Sequence, residues 1–475
     1  MKMIKDYEMV IGLEVHVELK TKTKIFCSCS TAYGAAPNTQ TCPVCMGLPG
    51  VLPVLNGKVV EYAIKAGLAT NCTIAHYSKQ DRKNYFYPDL PKAYQISQYD
   101  LPLCENGYVM IETPDGPKKI GITRIHIEED AGKLVHDDEY GTMIDCNRCG
   151  VPLIEIVSEP DIRSAEEAYA YLEKLRSTII YTGVSDCKNN EGAFRCDVNL
   201  SVRKKGQTEF GTRTEMKNIN SFRFAVQAIE YEYKRQVEVL ESGGKIVQET
   251  RKFDQETGKT YTMRTKEHAN DYRYFPDPDL PPIELTDDDI MTLRSEMGEM
   301  PDTKKQKYME SFGITAYDSD TLLADPNIAK YYEEVVKHTD YYKIAANILI
   351  TEIMAKTKGS FECAISPTNV AKLADLFGNQ IINSATLKRL LGRMWKEDFD
   401  PEAVVEKEGL AQINDYDELS AIADEIIKDN EKLVLDYQNG NEKIFEVLIG
   451  SGMRITCGKA NPIALGDILK SKINS

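Results

Sequence analysis

Four cysteines, Cys27, Cys29, Cys42 and Cys45, fall in two close pairs, with twelve residues between Cys29 and Cys42. Short CxC and CxxC knuckles of this kind bring four thiolates to one point, the pattern of a tetrahedral zinc site. Four sulfur ligands leave no coordination position open, so a zinc held there is structural. The alternative is a set of small buried thiols. A second CxxC, Cys146 and Cys149, offers either half of another site or two ordinary core or turn cysteines.

Acids and imidazoles recur on segments that read as strands. In VIGLEVHVELK, Ile11, Leu13, Val15, Val17 and Leu19 alternate with Glu14, His16, Glu18 and Lys20, which predicts a half-buried strand with Glu14 and His16 on its polar face. RIHIEEDAGK offers His126, Glu128, Glu129 and Asp130, and PLIEIVSEPD places Glu155 inside an apolar run. A carboxylate there is costly unless it is paired or bound to metal. As a set, these residues suit a divalent ion that handles phosphate oxygens. Singly, each is equally a surface acid on an edge strand. FRCDVNLSVRK alternates as cleanly, with Arg195 and Asp197 on its polar side. After a turn, Arg213, Glu215 and Lys217 share one face of the next segment. The two segments predict a hairpin whose charged face is either solvated or a catalytic floor.

Two stretches suit phosphate or nucleic acid. Residues 79–100 set Lys79, Arg82, Lys83 and Lys92 among Tyr85, Phe86, Tyr87, Tyr94 and Tyr99. Such a mixture binds a nucleotide or a tRNA end by charge and stacking, or else packs as a Pro-kinked loop. Neither GxxxxGK[ST] nor a strand-borne GxGxxG occurs, so any ATP is held without those devices. Near the end, IGSGMRITCGKANP reads as a flexible basic turn in which Arg454 and Lys459 are candidates for contacts with a phosphate backbone.

These residues need a scaffold. A length of 475 residues predicts several domains. The net charge of -16 argues against non-specific nucleic-acid binding by the whole surface. The start of the chain has no signal-like apolar run, and no stretch is long enough to span a membrane, so a cytoplasmic protein with reduced thiols is expected. Two helices interrupt the early strands. One runs from the Ser164/Glu167 capping box to Gly183, with Ala168, Leu172, Leu175 and Ile179 as its stripe. The other runs from Asn220 or Ser221 to Gly243, with Phe222, Val226, Ile229, Tyr233, Val237 and Leu240. The Pro-rich YFPDPDLPPIEL reads as an extended domain edge. Beyond it strand signals nearly vanish. The expected fold class is α+β, with a mostly antiparallel sheet domain over 1–293, an all-α helical domain over 294–405 and a small α-helical tail over 406–475.

VIGLEVHVEL, DRKNYFYPDLPKAYQISQYD, GITRIHIEEDAGK, PLIEIVSEPDIRS, TEMKNINSF, YRYFPDPDLP and GKANP occur in this order along the chain. In these motifs the chain resembles the B subunits of the bacterial aspartyl/glutamyl-tRNA amidotransferases. The resemblance implies a glutamine-synthetase-like cradle domain followed by helical and tail domains that hold tRNA. It implies a ligase that forms a carbon-nitrogen bond, with glutamine as amido donor. ATP and Mg2+ would serve to phosphorylate the side-chain carboxylate of misacylated Glu-tRNA or Asp-tRNA. Ammonia from an amidase A subunit would then displace phosphate, in a heterotrimer completed by a small C subunit. The resemblance assigns His16, Glu129 and Glu155 as Mg2+ ligands, with Glu14 beside them. Simple alternation instead groups Glu128 with His126, so Glu129 requires a bulge or strand end, and Glu128 is the other candidate. Asp197, Arg195, Arg213 and Lys217 are further candidates for the catalytic floor, and Lys79, Arg82 and Lys83 for the nucleotide. The cysteine knuckle occurs in only some members of that family, which fits a structural Zn2+. A related archaeal protein has an inserted domain for which this chain has no room. Other readings are a zinc-stabilised RNA-binding scaffold without chemistry, which leaves the acid cluster idle, and a ligase for a small acid, which leaves the tail without a purpose.

Overall fold

The computed structural model describes residues 6–265, 271–357, 361–456 and 458–474. Its backbone contacts group the chain into two units, Met1–Pro301 and Asp302–Ser475.

The first unit is built on a nine-stranded sheet. In chain order the strands are β1 (Tyr7–Glu18), β2 (Thr73–Ile74), β3 (Cys104–Thr113), β4 (Gly116–Glu129), β5 (Pro152–Ser158), β6 (Phe194–Lys204), β7 (Thr214–Lys217), β8 (Glu249–Asp254) and β9 (Lys259–Thr265). They lie side by side as β9-β8-β7-β6-β1-β5-β4-β3-β2, antiparallel except for the parallel pair β7 and β8. The predicted alternation of β1 holds. Ile11, Leu13, Val15 and Val17 are buried in the main core, while Glu14, His16 and Glu18 on the other face are half-buried. Each such aliphatic side chain contributes about 1.5–3 kcal/mol by leaving water. The core is closed by α1 (Gly57–Ala69), α2 (Ala165–Thr182) and α3 (Phe222–Glu241). Ser164 caps α2 by accepting from the Glu167 backbone N–H at 3.1 Å, and Gly183 ends it in the left-handed region at φ 74°.

Helix α1 is a third helix where the sequence pattern shows two. Asn56 caps it, and its buried face, Val59, Ala63, Ile64, Ala66, Gly67 and Leu68, includes three small residues. At Gly67 the sheet is close: a Cβ there would meet Cys104 Sγ at 2.5 Å. The segment expected as a domain edge is instead woven into this unit. Phe275–Pro276 pairs with the strand Asp81–Asn84, and Ile283–Glu284 pairs with Tyr77–Ser78. The expected boundary at 293 falls inside the helix Asp287–Glu296, which starts at a Thr286/Asp289 capping box.

The described residues of the second unit form helices and no strand. Leu419, Ala423, Ile426, Leu448, Leu465 and Leu469 centre an apolar cluster within residues 413–473. The stretch read as a flexible basic turn is mostly helix, Ile444–Ile455. Gly452 serves close packing there, since a Cβ would meet Leu465 Cδ2 at 2.4 Å, and the turn comes only at Gly458, with φ 80°.

Candidate functional site

Strand pairing alone assembles the acids. In the sheet, His16 on β1 lies opposite Glu155 on β5, and Glu155 lies opposite His126 on β4. On the other side of β1, Glu14 lies opposite Asp197 on β6, and Asn199 opposite Glu215 on β7. Cross-strand neighbours on one face meet directly. His16 Nε2 is 3.4 Å from Glu128 Oε1 and 3.3 Å from Glu155 Oε2. Adjacent ligands of an octahedral ion with Mg2+–O bonds of ~2.1 Å stand about 3 Å apart, so this trio fits such an ion with small adjustment. Glu14, Asp197 and Glu215 form a second group whose donor atoms lie within 4.8 Å of one another. Lys217 Nζ is 2.5 Å from Asp197 and 3.0 Å from Glu215, and Asn199 donates to Glu14 at 2.8 Å. Both donor sets are dominated by carboxylate oxygen, which suits a hard divalent cation.

The carboxylates dominate the local field. Burial works against a charged His16, yet the hydrogen bond and charge of Glu155, with Glu128 and Asp197, raise its pKa to about 9. Burial raises the Glu14 carboxyl, and the charge of Glu155 adds to it. Glu155 resists its own burial and is held below the usual carboxylate range by His126, His16 and Lys83. Burial disfavours the ammonium of Lys83, but Glu128 and Glu155 raise its pKa; Asp197 and Glu215 do the same for Lys217. Lys83 and Lys217 both line an open cavity of about 1000 Å3 with Tyr85, Phe86, Tyr272 and Arg273. The two lysines that face the acid clusters therefore also line a cavity with aromatic walls, an arrangement that attracts phosphate.

The four cysteines also converge. Sulfur atoms of Cys27, Cys29, Cys42 and Cys45 lie within 4.8 Å of one another, with Cys42 and Cys45 Sγ 3.9 Å apart. A tetrahedron with ~2.3 Å zinc–sulfur bonds has edges of about 3.8 Å, so the set fits Zn2+. A hydrogen bond from Cys27 holds the Cys45 thiol well below its ordinary pKa, against burial and with help from the Cys42 backbone N–H. Cys146 and Cys149 are buried outside this group.

A family model described as "GatB/GatE catalytic domain" matches residues 9–291, and a "GatB domain" model matches residues 330–473. The chain is 56% identical to the aspartyl/glutamyl-tRNA(Asn/Gln) amidotransferase B subunit of Caldicellulosiruptor saccharolyticus, over 98% of this chain and 99% of that one. The chain belongs to this family of amidotransferase B subunits. Identity is 53% to the B subunit of Carboxydothermus hydrogenoformans, over 99% of both chains. It is 52% to that of Geobacter sulfurreducens, over 98% of this chain and 99% of the relative. Among the described residues no helix is long and apolar enough to cross a membrane.

Within this B-subunit fold the expected site residues are sorted by geometry. His16, Glu155, Glu14, Asp197 and Lys217 meet on one face. Glu129 does not join them. The β4–β5 register shifts between Val157 and Ser158, far from the expected bulge, and from Ile125 onward alternation is regular. That parity sends Glu128 to the His16 face and Glu129 to the other. There Glu129 accepts from the Ile96 N–H at 2.8 Å and pairs with Lys92. Arg195 reaches along the face to Asp130 at 2.7 Å, beside Glu18 rather than among the clustered acids. Arg213 is exposed, lies just before β7 and makes no ion pair among the described residues. Lys79 is taken by Asp81 and Asp100, both at 2.6 Å. Arg82 is taken by Asp277 at 2.7 Å and Asp279 at 3.0 Å, over the Tyr94 ring. Both therefore brace the aromatic block, and Lys83 alone of the three faces the acids. Arg454 is exposed on its helix, with Nη2 3.0 Å from Ser451 Oγ, and Lys459 is half-buried. Two further neighbours, Glu215 from the charged hairpin face and His126 from the set of acids and imidazoles, also join the clusters. His126 Nε2 lies 3.6 Å from Glu155 and 3.7 Å from Glu128. The signal for both was strand parity, since each sits an even number of positions from a residue already singled out.

Proposed function

We propose that this chain carries out the ATP-dependent amidation of misacylated Glu-tRNA(Gln), Asp-tRNA(Asn) or both. The observation that carries this reading is the pair of carboxylate clusters on one sheet face, attended by Lys83 and Lys217, two lysines that line one cavity. The names of the relatives supply the substrate class. The side-chain carboxylate of the aminoacyl group attacks the γ-phosphorus of ATP, ADP leaves, and the carboxyl becomes an acyl phosphate. Ammonia then adds to that carbonyl, phosphate leaves, and the nitrogen gives up a proton to yield the amide. His16, Glu128 and Glu155 would hold one Mg2+, and Glu14, Asp197 and Glu215 form a second candidate set. When bound, Mg2+ supplies positive charge to the phosphate oxygens.

The residues themselves do the positioning. Lys217, shared between Asp197 and Glu215, offers an ammonium at the edge of the cavity. Lys83 sits under the Tyr272 ring at 5.1 Å and faces the other cluster, so two cations flank the place where phosphate charge moves. We propose that ammonia comes from an amidase A subunit in a complex with a small C subunit, and that the helices over 406–475, with Arg454 and Lys459, hold the tRNA.

The test is a transamidation assay with both misacylated tRNAs, with and without the partner proteins. E155Q should lower amidation at least about 100-fold, the usual effect of removing one charge-stabilising group. Glutaminase activity of the complex should stay near wild type. Equal loss of both activities would assign Glu155 a purely structural role. Unchanged amidation would favour a scaffold without chemistry.

A further inference from the structure

Lys24 is the one lysine among the described residues that is fully buried, with 0% exposure. Placing an ammonium out of water is expensive unless an anion compensates it. No carboxylate among the described residues pairs with Lys24. Its Nζ instead meets Cys45 Sγ at 3.7 Å and the Cys146 carbonyl oxygen at 3.4 Å. Of the four clustered cysteines, Cys45 is the buried one, and the other three are half-exposed. The thiolate with the least access to water is thus the one that faces a cation.

The charge arithmetic makes sense of this pairing. Four thiolates around a divalent ion carry a net charge of -2 on a small volume. Exposed sulfurs share that charge with water, but Cys45 cannot. Two donors face it: the Cys42 backbone N–H at 3.2 Å and Lys24. We infer that Lys24 is the outer-sphere counter-ion of a metal bound by Cys27, Cys29, Cys42 and Cys45. Its ammonium offsets one unit of the thiolate charge and, through the Cys146 carbonyl, ties the knuckle to the turn Cys146–Arg148. Lys24 is a positioning residue: it touches no substrate and acts through Cys45.

The inference rests on the reading of these cysteines as a metal site, and the test separates the two. The purified full chain is stripped of metal and titrated with Zn2+ against a chromophoric chelator, and with Co2+ for its thiolate charge-transfer band. Wild type should bind one ion per chain with that band. K24M, which keeps the length of the side chain and removes its charge, should bind with a dissociation constant about 10–100-fold higher, the range for loss of an outer-shell partner. The metal-free protein should be no less stable in K24M than in wild type, because a buried charge has been removed along with its burden. Should K24M fail to fold, K24Q is read in the same way. Unchanged affinity in the folded variant overturns the counter-ion role while leaving the metal site intact. No ion bound by wild type overturns the metal reading itself and the inference with it.

Discussion

At the scale of single residues, two adjacent glutamates decide what the sheet can bind. Glu128 and Glu129 are the same residue type one position apart, so a motif match cannot tell them apart, but a strand sends them to opposite faces. The geometry favours Glu128, 3.4 Å from His16, while Glu129 is held by Lys92 and the Ile96 N–H. In the complete complex, E128Q should therefore raise the Mg2+ concentration for half-maximal tRNA-dependent ATP hydrolysis at least about 10-fold, as loss of a ligand demands. E129Q should leave that concentration where it is. Titrating both variants with Mg2+ reads the difference, and a shift in E129Q alone would return the ligand role to Glu129. His16, Glu14, Glu155 and Asp197 were legible because alternation marks a face and a buried acid marks a need. The ion pairs of Lys79 and Arg82 were not legible, because their partners, Asp100, Asp277 and Asp279, include residues almost 200 positions away that no local pattern connects.

At the scale of elements, α3 shows why a stripe can be found and still be misjudged. Phe222, Ile229 and Val237 are buried as its period predicts, but so are Glu232 and Gln236. Glu232, with no exposed surface, accepts from Arg235 at 2.6 Å, Thr214 at 3.1 Å and Thr260 at 2.9 Å. Those threonines come from β7 and β9, so the network exists only once the sheet has formed. Burial alone would raise the Glu232 pKa, but Arg235, Gln236 and Arg251 outweigh it and lower the value. A carboxyl lowered in the folded state adds stability above its unfolded value of about 4.3, and that stability fades as pH falls through the folded value. E232Q should thus be less stable than wild type by about 2 kcal/mol at neutral pH, the cost of leaving the buried Arg251 and half-buried Arg235 with Glu249 as their one remaining anion. The gap should narrow below about pH 4. Urea unfolding followed across that range measures it, and a gap independent of pH would show that Glu232 acts by shape rather than by charge.

At the scale of the whole molecule, the chain has separate apolar cores that answer to different perturbations. The main core lies within the first unit, which also contains the four cysteines, and the cluster over 413–473 lies within the second. Metal bound only by the folded first unit stabilises that unit by linkage and adds nothing directly to the other. Calorimetry of the metal-loaded chain should show two transitions. A strong chelator should move one of them down by several degrees and leave the other in place. L448A identifies the second transition: Leu448 is fully buried, and its truncation costs about 2–5 kcal/mol. For a unit of this size that is a fall of about 5 °C or more. The chelator-sensitive transition should then be the one that L448A spares. If the chelator and L448A move the same transition, the two units unfold as one, and the knuckle braces the whole chain rather than the unit that carries the acid clusters.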